Sequence, residues 1–283
     1  MRVKNYNEYK ELSDHTLAVT SDLGFIAGAI SLENFSVVID STLFPFTAKL
    51  LRKQINNVFN LPVRFLFITH YHGDHYWGAA SFDDVITIGS ELLIQNIIDE
   101  REIQPVRFKE WKNDDPEKAH MINEIDTSLL PNITFKSEIE IRDGEYTVEL
   151  YHCGGHTSCS SYAYFPHEKV LFAGDLIFAK EWPWAGDPTA NPDKWIEALQ
   201  EIIKLDISNV VPGHGPIVGK EEVEIHLNFL KKLKEETIIV LEKEKGVKAI
   251  EIPPFYKDKT PDEWVKKDTL KCFVKFYKEQ KKE

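Results

Sequence analysis

The sequence predicts a mixed α/β fold: a sheet with helices packed on it, followed by a helical C-terminal extension. Three observations carry this. Short apolar stretches rich in β-branched residues occupy the first forty positions, the pattern then switches to strand, helix, strand, and from Lys220 onward two long charged stretches space their apolar residues as helices do. Alternating β and α elements of this kind place helices over a sheet.

HTLAV, GFIAGAI and SVVID, separated by polar turns, read as a meander ending at Asp40. FTAKLLRKQINNVF has helical spacing and leads into the strand VRFLFIT; VITIG at 85–89 is the next strand and ELLIQNIIDE the next helix. Residues 103–132 contain polar helix-like pieces without a clear period and are expected to form a surface insertion. Strands resume at SEIEI, YTVELYH, SYAYF and KVLFAG. NPDKWIEALQEIIKL is a helix with proline in its first turn, and SNVVPG is a further strand. EEVEIHLNFLKKLKEETIIVLEKEKG is a long helix expected to stop at Gly246, and PDEWVKKDTLKCFVKFYKE closes the chain. No internal repeat or low-complexity linker stands out. The expected organisation is one domain over 1–225 with a helical extension over 226–283 packed on it.

A chain of 283 residues with 42% hydrophobic and 12% aromatic content can bury a sizeable core. No apolar run is long enough to cross a bilayer, and MRVKNYNEYKELSD lacks the basic-then-apolar pattern of a signal peptide, so a cytoplasmic setting is expected. The formal charge of −12 repels a polyanionic backbone, which sets nucleic acid aside as a partner. Cys153, Cys159 and Cys272 make an odd count and are expected as ordinary buried thiols. The expected partner is a small-molecule substrate, with no membrane contact; a homodimer is compatible with the sequence.

The chemistry concentrates in THYHGDHYWG, residues 69–78, with three histidines and an aspartate in six positions. If the chain leaves VRFLFIT extended, His70 and His72 point to the same side and share one metal. Asp74 and His75 follow Gly73, where the backbone is expected to turn, and aim at a neighbouring position. His156 in GGHTSCS and His214 in PGHGP are glycine-flanked and follow predicted strands, where functional side chains commonly sit. Asp175 in LFAGDLIF is a carboxylate in an apolar strand, costly unless paired or bound to a cation. His15, His120, His152, His167 and His226 lack such context and are assigned to surface or satisfied-core roles. Asp40 has two readings, a partner to the metal loop or a cap on the next helix.

HYHGDH, GGHT, AGDLIF and PGHGP, in that order over about residues 15–225, resemble the motifs of the metallo-β-lactamase-fold hydrolases. The resemblance implies a four-layer αβ/βα sandwich with metals at one edge of two sheets, residues 1–225 being its catalytic domain. It assigns one metal to His70, His72 and His156, a second to Asp74, His75 and His214, and a bridging role to Asp175. Two zinc ions are the expected cofactors, with iron or manganese as alternatives. The implied reaction is attack of a bridging hydroxide on an ester, thioester or lactone-type carbonyl, with Asp74 orienting the hydroxide and passing on its proton.

Departures from subfamily patterns narrow this reading. LIFAKEWPWAGD replaces the glutathione-holding segment of hydroxyacylglutathione hydrolases and the arginine-containing segment of persulfide dioxygenases, the iron oxidoreductases that form the alternative class. Phe178 stands where quorum-quenching lactonases usually carry tyrosine. Asp175 stands where true metallo-β-lactamases carry cysteine or serine, leaving lactonase or β-lactamase turnover as promiscuous activities. Lys180, Trp182 and Trp184 are the substrate-binding candidates: an ammonium for a substrate anion and an apolar wall, the tryptophans being equally well read as filler between core and insertion.

Overall fold

Val37, Val38 and Ile39 show how the strands divide their side chains: Val37 and Ile39 enter one core and Val38 another. Successive residues of a strand face opposite sides, so a sheet apolar on both faces must be covered twice. The computed structural model describes residues 7–21, 25–114, 119–252 and 262–281. Two sheets share an inner core, and each carries helices on its outer face. This is the four-layer αβ/βα sandwich.

The first sheet runs in sequence order through β1 (Asn7–Glu11), β2 (Thr16–Ser21), β3 (Ile26–Ser31), β4 (Ser36–Ile39), β5 (Val63–Phe67), β6 (Ile86–Ser90) and β7 (Ile133–Phe135). The meander β1 to β4 is antiparallel; β4 to β7 are parallel, joined by crossovers that carry α1 (Pro45–Phe59) and α3 (Glu91–Asp114). Ala48, Leu51 and Ile55 of α1 and Leu93 and Ile97 of α3 cover the outer face. The second sheet has the order β12 (Asn209–His214), β11 (Val170–Phe178), β10 (Ser161–Phe165), β9 (Tyr146–His152), β8 (Glu138–Asp143). Its outer face is covered by α5 (Pro192–Ile202), α6 (Glu221–Glu242) and α7 (Glu263–Gln280), through residues such as Trp195, Leu199, Phe229, Leu230 and Phe273. Asn191 caps α5, its side chain accepting from Lys194 N at 3.0 Å ahead of Pro192.

Several expectations change. β1 and β7 were not expected: β1, NEYKE, is a polar edge strand completed by pairing with β2, and β7, ITF, is only 3 residues long. Residues 103–132, read as helix-like pieces of a surface insertion, begin as a continuation of the preceding helix. α3 continues to Asp114 through Pro105, and α4 (Ala119–Asn123) follows. Exposed Ile103 and Val106 blur the helical stripe, while Phe108 and Trp111 pack edge-on against buried Trp77 at 4.8 and 5.5 Å. The long helix α6 ends before Gly246: Glu244 takes the left-handed conformation at φ 51°, and Lys245 N bonds Val240 O at 3.0 Å. Gly246 has φ −73° and opens a short 3₁₀ turn instead. The boundary expected at 225/226 falls inside α6. Among the described residues, no helix is long and apolar enough to cross a membrane.

Candidate metal centre

The cluster forms where β5, β11, β12 and the β9–β10 loop end at one edge of the sandwich, the carboxyl side of parallel strands where open α/β sheets bind ligands. β5 delivers Thr69 and His70, and His72 keeps an extended backbone before α2 (Gly73–Tyr76) turns Asp74 and His75 inward. Gly73 is helical rather than a turn glycine. A Cβ there would overlap the Trp77 indole, so the residue is needed for that packing. Asp175 sits where β11 loses regular register with β12, between Gly174 at φ 51° and Phe178. Gly213 of β12 leaves the space its carboxylate occupies; a Cβ would collide with Oδ1.

Seven side chains converge in two groups, the donor atoms of each lying within 4.8 Å of one another: His70, His72, His156 and Asp175, and then Asp74, His75 and His214. In the first, His72 Nδ1 lies 3.1 Å from both His70 Nε2 and His156 Nε2, and Asp175 Oδ2 is 3.2 Å from His156 Nε2. In the second, His214 Nε2 is 3.2 Å from Asp74 Oδ2. Asp175 joins the groups, with Oδ1 3.0 Å from His75 Nε2 and Oδ2 3.3 Å from His214 Nε2. His75 Nε2 and Asp175 Oδ1 are buried and form no hydrogen bond. Buried polar atoms are nearly always satisfied, so orphans facing each other inside a ring of imidazoles fit a cation between them.

Electrostatics agree. Burial opposes ionising Asp175, yet His214, His75, His70 and His156 outweigh it and hold the carboxyl well below its ordinary range. Asp74 is also held low, burial being overcome by His75 and by the hydrogen bond from His214. The carboxylates in turn overcome burial at His75, raised well above its usual value, and at His214, pushed up to about 10. Burial, then the charge of His75, holds His70 down; burial also lowers His156. The two carboxylates thus favour positive charge on the groups that face them, while burial keeps His70 and His156 neutral, the form in which an imidazole binds a metal.

Among the described residues, each imidazole except His214 has an outer hydrogen-bond partner that fixes its ring. Asp40 Oδ2 lies 2.7 Å from His75 Nδ1 and accepts from Thr69 Oγ1 at 2.8 Å, while Oδ1 accepts from Thr69 N. α1 begins after Phe44, so the helix-cap reading of Asp40 falls away. Thr69 Oγ1 is 3.1 Å from His70 Nδ1, Trp184 O is 3.0 Å from His156 Nδ1, and Asp187 Oδ2 is 2.9 Å from His72 Nε2. Asp187 also accepts from Tyr71 OH and from Thr189 N and Oγ1. Phe178 stacks on His214, centroids 5.0 Å apart and 8° from parallel. Asp187, Tyr71 and Thr69 were not singled out in the sequence. The one signal at Asp187 is its place in WAGDPT, where an aspartate reads as a local turn residue.

The substrate-binding candidates separate. Trp184 borders the cluster, its ring 5.5 Å from His72 and 5.8 Å from His156. Trp182 is buried against Phe229 at 5.3 Å, filling the seam with α6. Lys180 turns to α6 instead: Nζ pairs with Glu222 at 2.6 Å, and its own amide donates to that carboxylate at 2.9 Å. Tyr76 and Trp77 pack away from the cluster, Tyr76 OH donating to Thr127 O.

The family model of the Metallo-beta-lactamase superfamily matches residues 27–214, which contain all seven clustered residues, and the chain belongs to that superfamily. A solved metallo-beta-lactamase from Pontibacter korlensis shares the fold, with TM-score 0.61 and 22% identity over 80% of this chain and 99% of that one. Among curated relatives, a beta-lactamase-like protein 2 homolog of Caenorhabditis elegans is 24% identical over 68% of this chain and 57% of its own length. A hydroxyacylglutathione hydrolase of Bartonella henselae is 27% identical over 52% of this chain and 49% of its own. The match thus spans about half the length of these curated relatives.

Proposed function

We propose that the protein is a dinuclear metal hydrolase acting on an ester, thioester or lactone-type carbonyl. The observation that carries this reading is the pair of donor groups joined by one carboxylate, Asp175, whose Oδ1 and the facing His75 Nε2 are buried without hydrogen bonds. His70, His72, His156 and Asp175 would hold one ion, and Asp74, His75, His214 and Asp175 the other. Two zinc ions bound there supply a water acidic enough to attack at neutral pH and polarise the carbonyl. Iron or manganese would suit the same nitrogen and oxygen donors.

The chain's own groups do the rest. Asp74 is partly exposed at the open side of the cluster; with one oxygen turned to His75 and His214, its other oxygen orients the attacking water and accepts its proton. Trp184 offers an apolar face for the substrate's acyl or aryl part beside His72 and His156. Phe178 leaves no hydroxyl beside His214, so the reading does not assign a phenol as proton donor to the leaving group. A cytoplasmic setting suits the three free cysteines.

The test is metal content of the purified chain, measured beside turnover of ester, thioester, lactone and β-lactam substrates. About two zinc per chain, with ester or thioester cleavage abolished in His70→Ala and Asp175→Ala, supports the proposal. Full activity in either variant sinks it. One iron per chain with oxygen uptake on a persulfide selects the oxidoreductase alternative, for which two histidines of the first group and Asp175 would suffice.

A further inference from the structure

His72 and His156 take their orientation from a single short loop. Asp187 and the Trp184 carbonyl, three residues apart, meet the outer nitrogens of the two rings. The loop leaves β11 and is fastened by the C-terminal helices. The Lys180 amide donates to Glu222 of α6, and Trp182 packs on Phe229 of α6. Thr269 of α7 then closes it: the hydroxyl donates to Pro183 O at 2.7 Å and accepts from Ala185 N at 3.2 Å. Thr269 is fully buried in mid-helix, where a threonine hydroxyl ordinarily bonds back to its own helix. Here one hydroxyl instead serves as donor and acceptor to the backbone on both sides of Trp184. Trp264, also on α7, adds a ring contact to Trp184 at 6.2 Å. The other half is held differently: Asp40 holds His75 from the end of β4, and His214 at the end of β12 meets α6 through a ring stack, Phe178 lying between His214 and His226, with no hydrogen bond from α7 among the described residues.

We propose that Thr269 is a positioning residue through which the C-terminal helix α7 sets the metal affinity of the His70/His72/His156 half of the centre, leaving the Asp74/His75/His214 half unchanged. The inference rests on the two-metal reading above. Removing the hydroxyl strands Pro183 O and Ala185 N without their partner, so the loop shifts and Asp187 and Trp184 O no longer hold the two rings in line. Loss of an outer partner weakens metal binding by about 10–100-fold. Acting through one further bond, Thr269 belongs at the lower end.

The experiment is a competitive-chelator titration of zinc on the full chain, resolving two binding steps, for the wild type and for T269V, T269S, D187N and Y277F. T269V is expected to weaken one step about tenfold and D187N the same step by about 10–100-fold, with the other step within about twofold in both, and T269S to restore the affinity lost in T269V. Tyr277 OH donates to Asp193 Oδ1 at 2.6 Å elsewhere on α7, so Y277F loosens the helix without touching the loop and should keep both affinities. Circular dichroism and urea melts verify folding, and T269A repeats the test if valine is not accommodated. Wild-type affinities in T269V, failure of T269S to restore, or equal weakening in Y277F overturns the inference. A wild-type chain holding fewer than two zinc ions overturns the metal reading and this one together, whereas two tight ions in both wild type and T269V remove only the role of Thr269.

Discussion

The two halves of the cluster are held by different parts of the chain. His75 is aimed by Asp40, a residue at the end of β4 that also binds the backbone and hydroxyl of Thr69, so this half is tied into the first sheet. His72 and His156 are aimed by the loop 184–187, which is fastened by Glu222 and Thr269. Both fasteners lie beyond residue 214, where the superfamily match stops. The difference teaches where variation can act: hydrogen bonds from outside the shared domain reach the first half, whereas the second is bonded from the first sheet and meets α6 through the ring stack of His214, Phe178 and His226.

The largest effect should come from the residue common to both halves. Asp175→Ala is expected to reduce zinc at both positions and to abolish turnover, a larger loss than the roughly 10–100-fold typical of an outer partner; metal analysis retaining a full second ion would show that the halves are more independent than their shared carboxylate suggests. Next come the outer partners compared with each other. Asp40→Asn should weaken chiefly the step at the His75 half by about 10–100-fold, with a smaller effect on the other through Thr69 and His70, and Asp187→Asn should weaken chiefly the other step. If both substitutions weaken chiefly the same step, the division drawn above is wrong.

A smaller effect is expected from pH. His226 of α6 lies behind Phe178, rings 6.5 Å apart and nearly parallel, and burial pushes its pKa down to about 3. The unfolded chain takes up this proton near the ordinary value of 6.5, whereas the folded chain stays neutral until about 3. Stability is therefore greatest above 6.5 and falls as pH drops toward 3, by at most roughly 1.4 kcal/mol per pH unit from this group. Urea melts at pH 7 and 5 should show a shallower loss in His226→Phe than in the wild type. The mildest prediction concerns Trp184→Leu, which keeps the backbone carbonyl that holds His156. Zinc content should be unchanged while KM for aryl-bearing esters rises roughly threefold to tenfold, the scale of one lost aromatic contact. A loss of zinc instead would place Trp184's ring, not its carbonyl, in the support of the first half.

The seven clustered residues were legible in the sequence because each sits in a local pattern that physical chemistry restricts: alternation at His70 and His72, glycine beside His156 and His214, a carboxylate in an apolar strand at Asp175. The helices and most strands were legible for the same reason, their periods being imposed by burial on one face. What escaped reading depends on partners distant in sequence. Asp187 meets His72 across more than a hundred residues, Thr269 meets Pro183 across more than eighty, and neither pairing is written in the local sequence, where Asp187 reads as a turn residue. Lys180 was expected to face a substrate anion. Only the fold shows that Glu222 neutralises it, because the pairing depends on how α6 lies against the loop after β11. The continuation of α3 past residue 103 was hidden likewise, since its support comes from Trp77 while exposed Ile103 and Val106 confuse the pattern.

Asp40 adopts φ 61°, a left-handed backbone that disfavours any side chain with a Cβ by about 1–2 kcal/mol. Glycine would relieve that strain but leave Thr69 N, Thr69 Oγ1 and His75 Nδ1 buried without their acceptor, at about 1–3 kcal/mol for each donor. The strained backbone is thus sustained by the bonds it makes possible, and Asp40→Gly is expected to lower the urea midpoint as well as misdirect His75. At this position the fold and the site fail together.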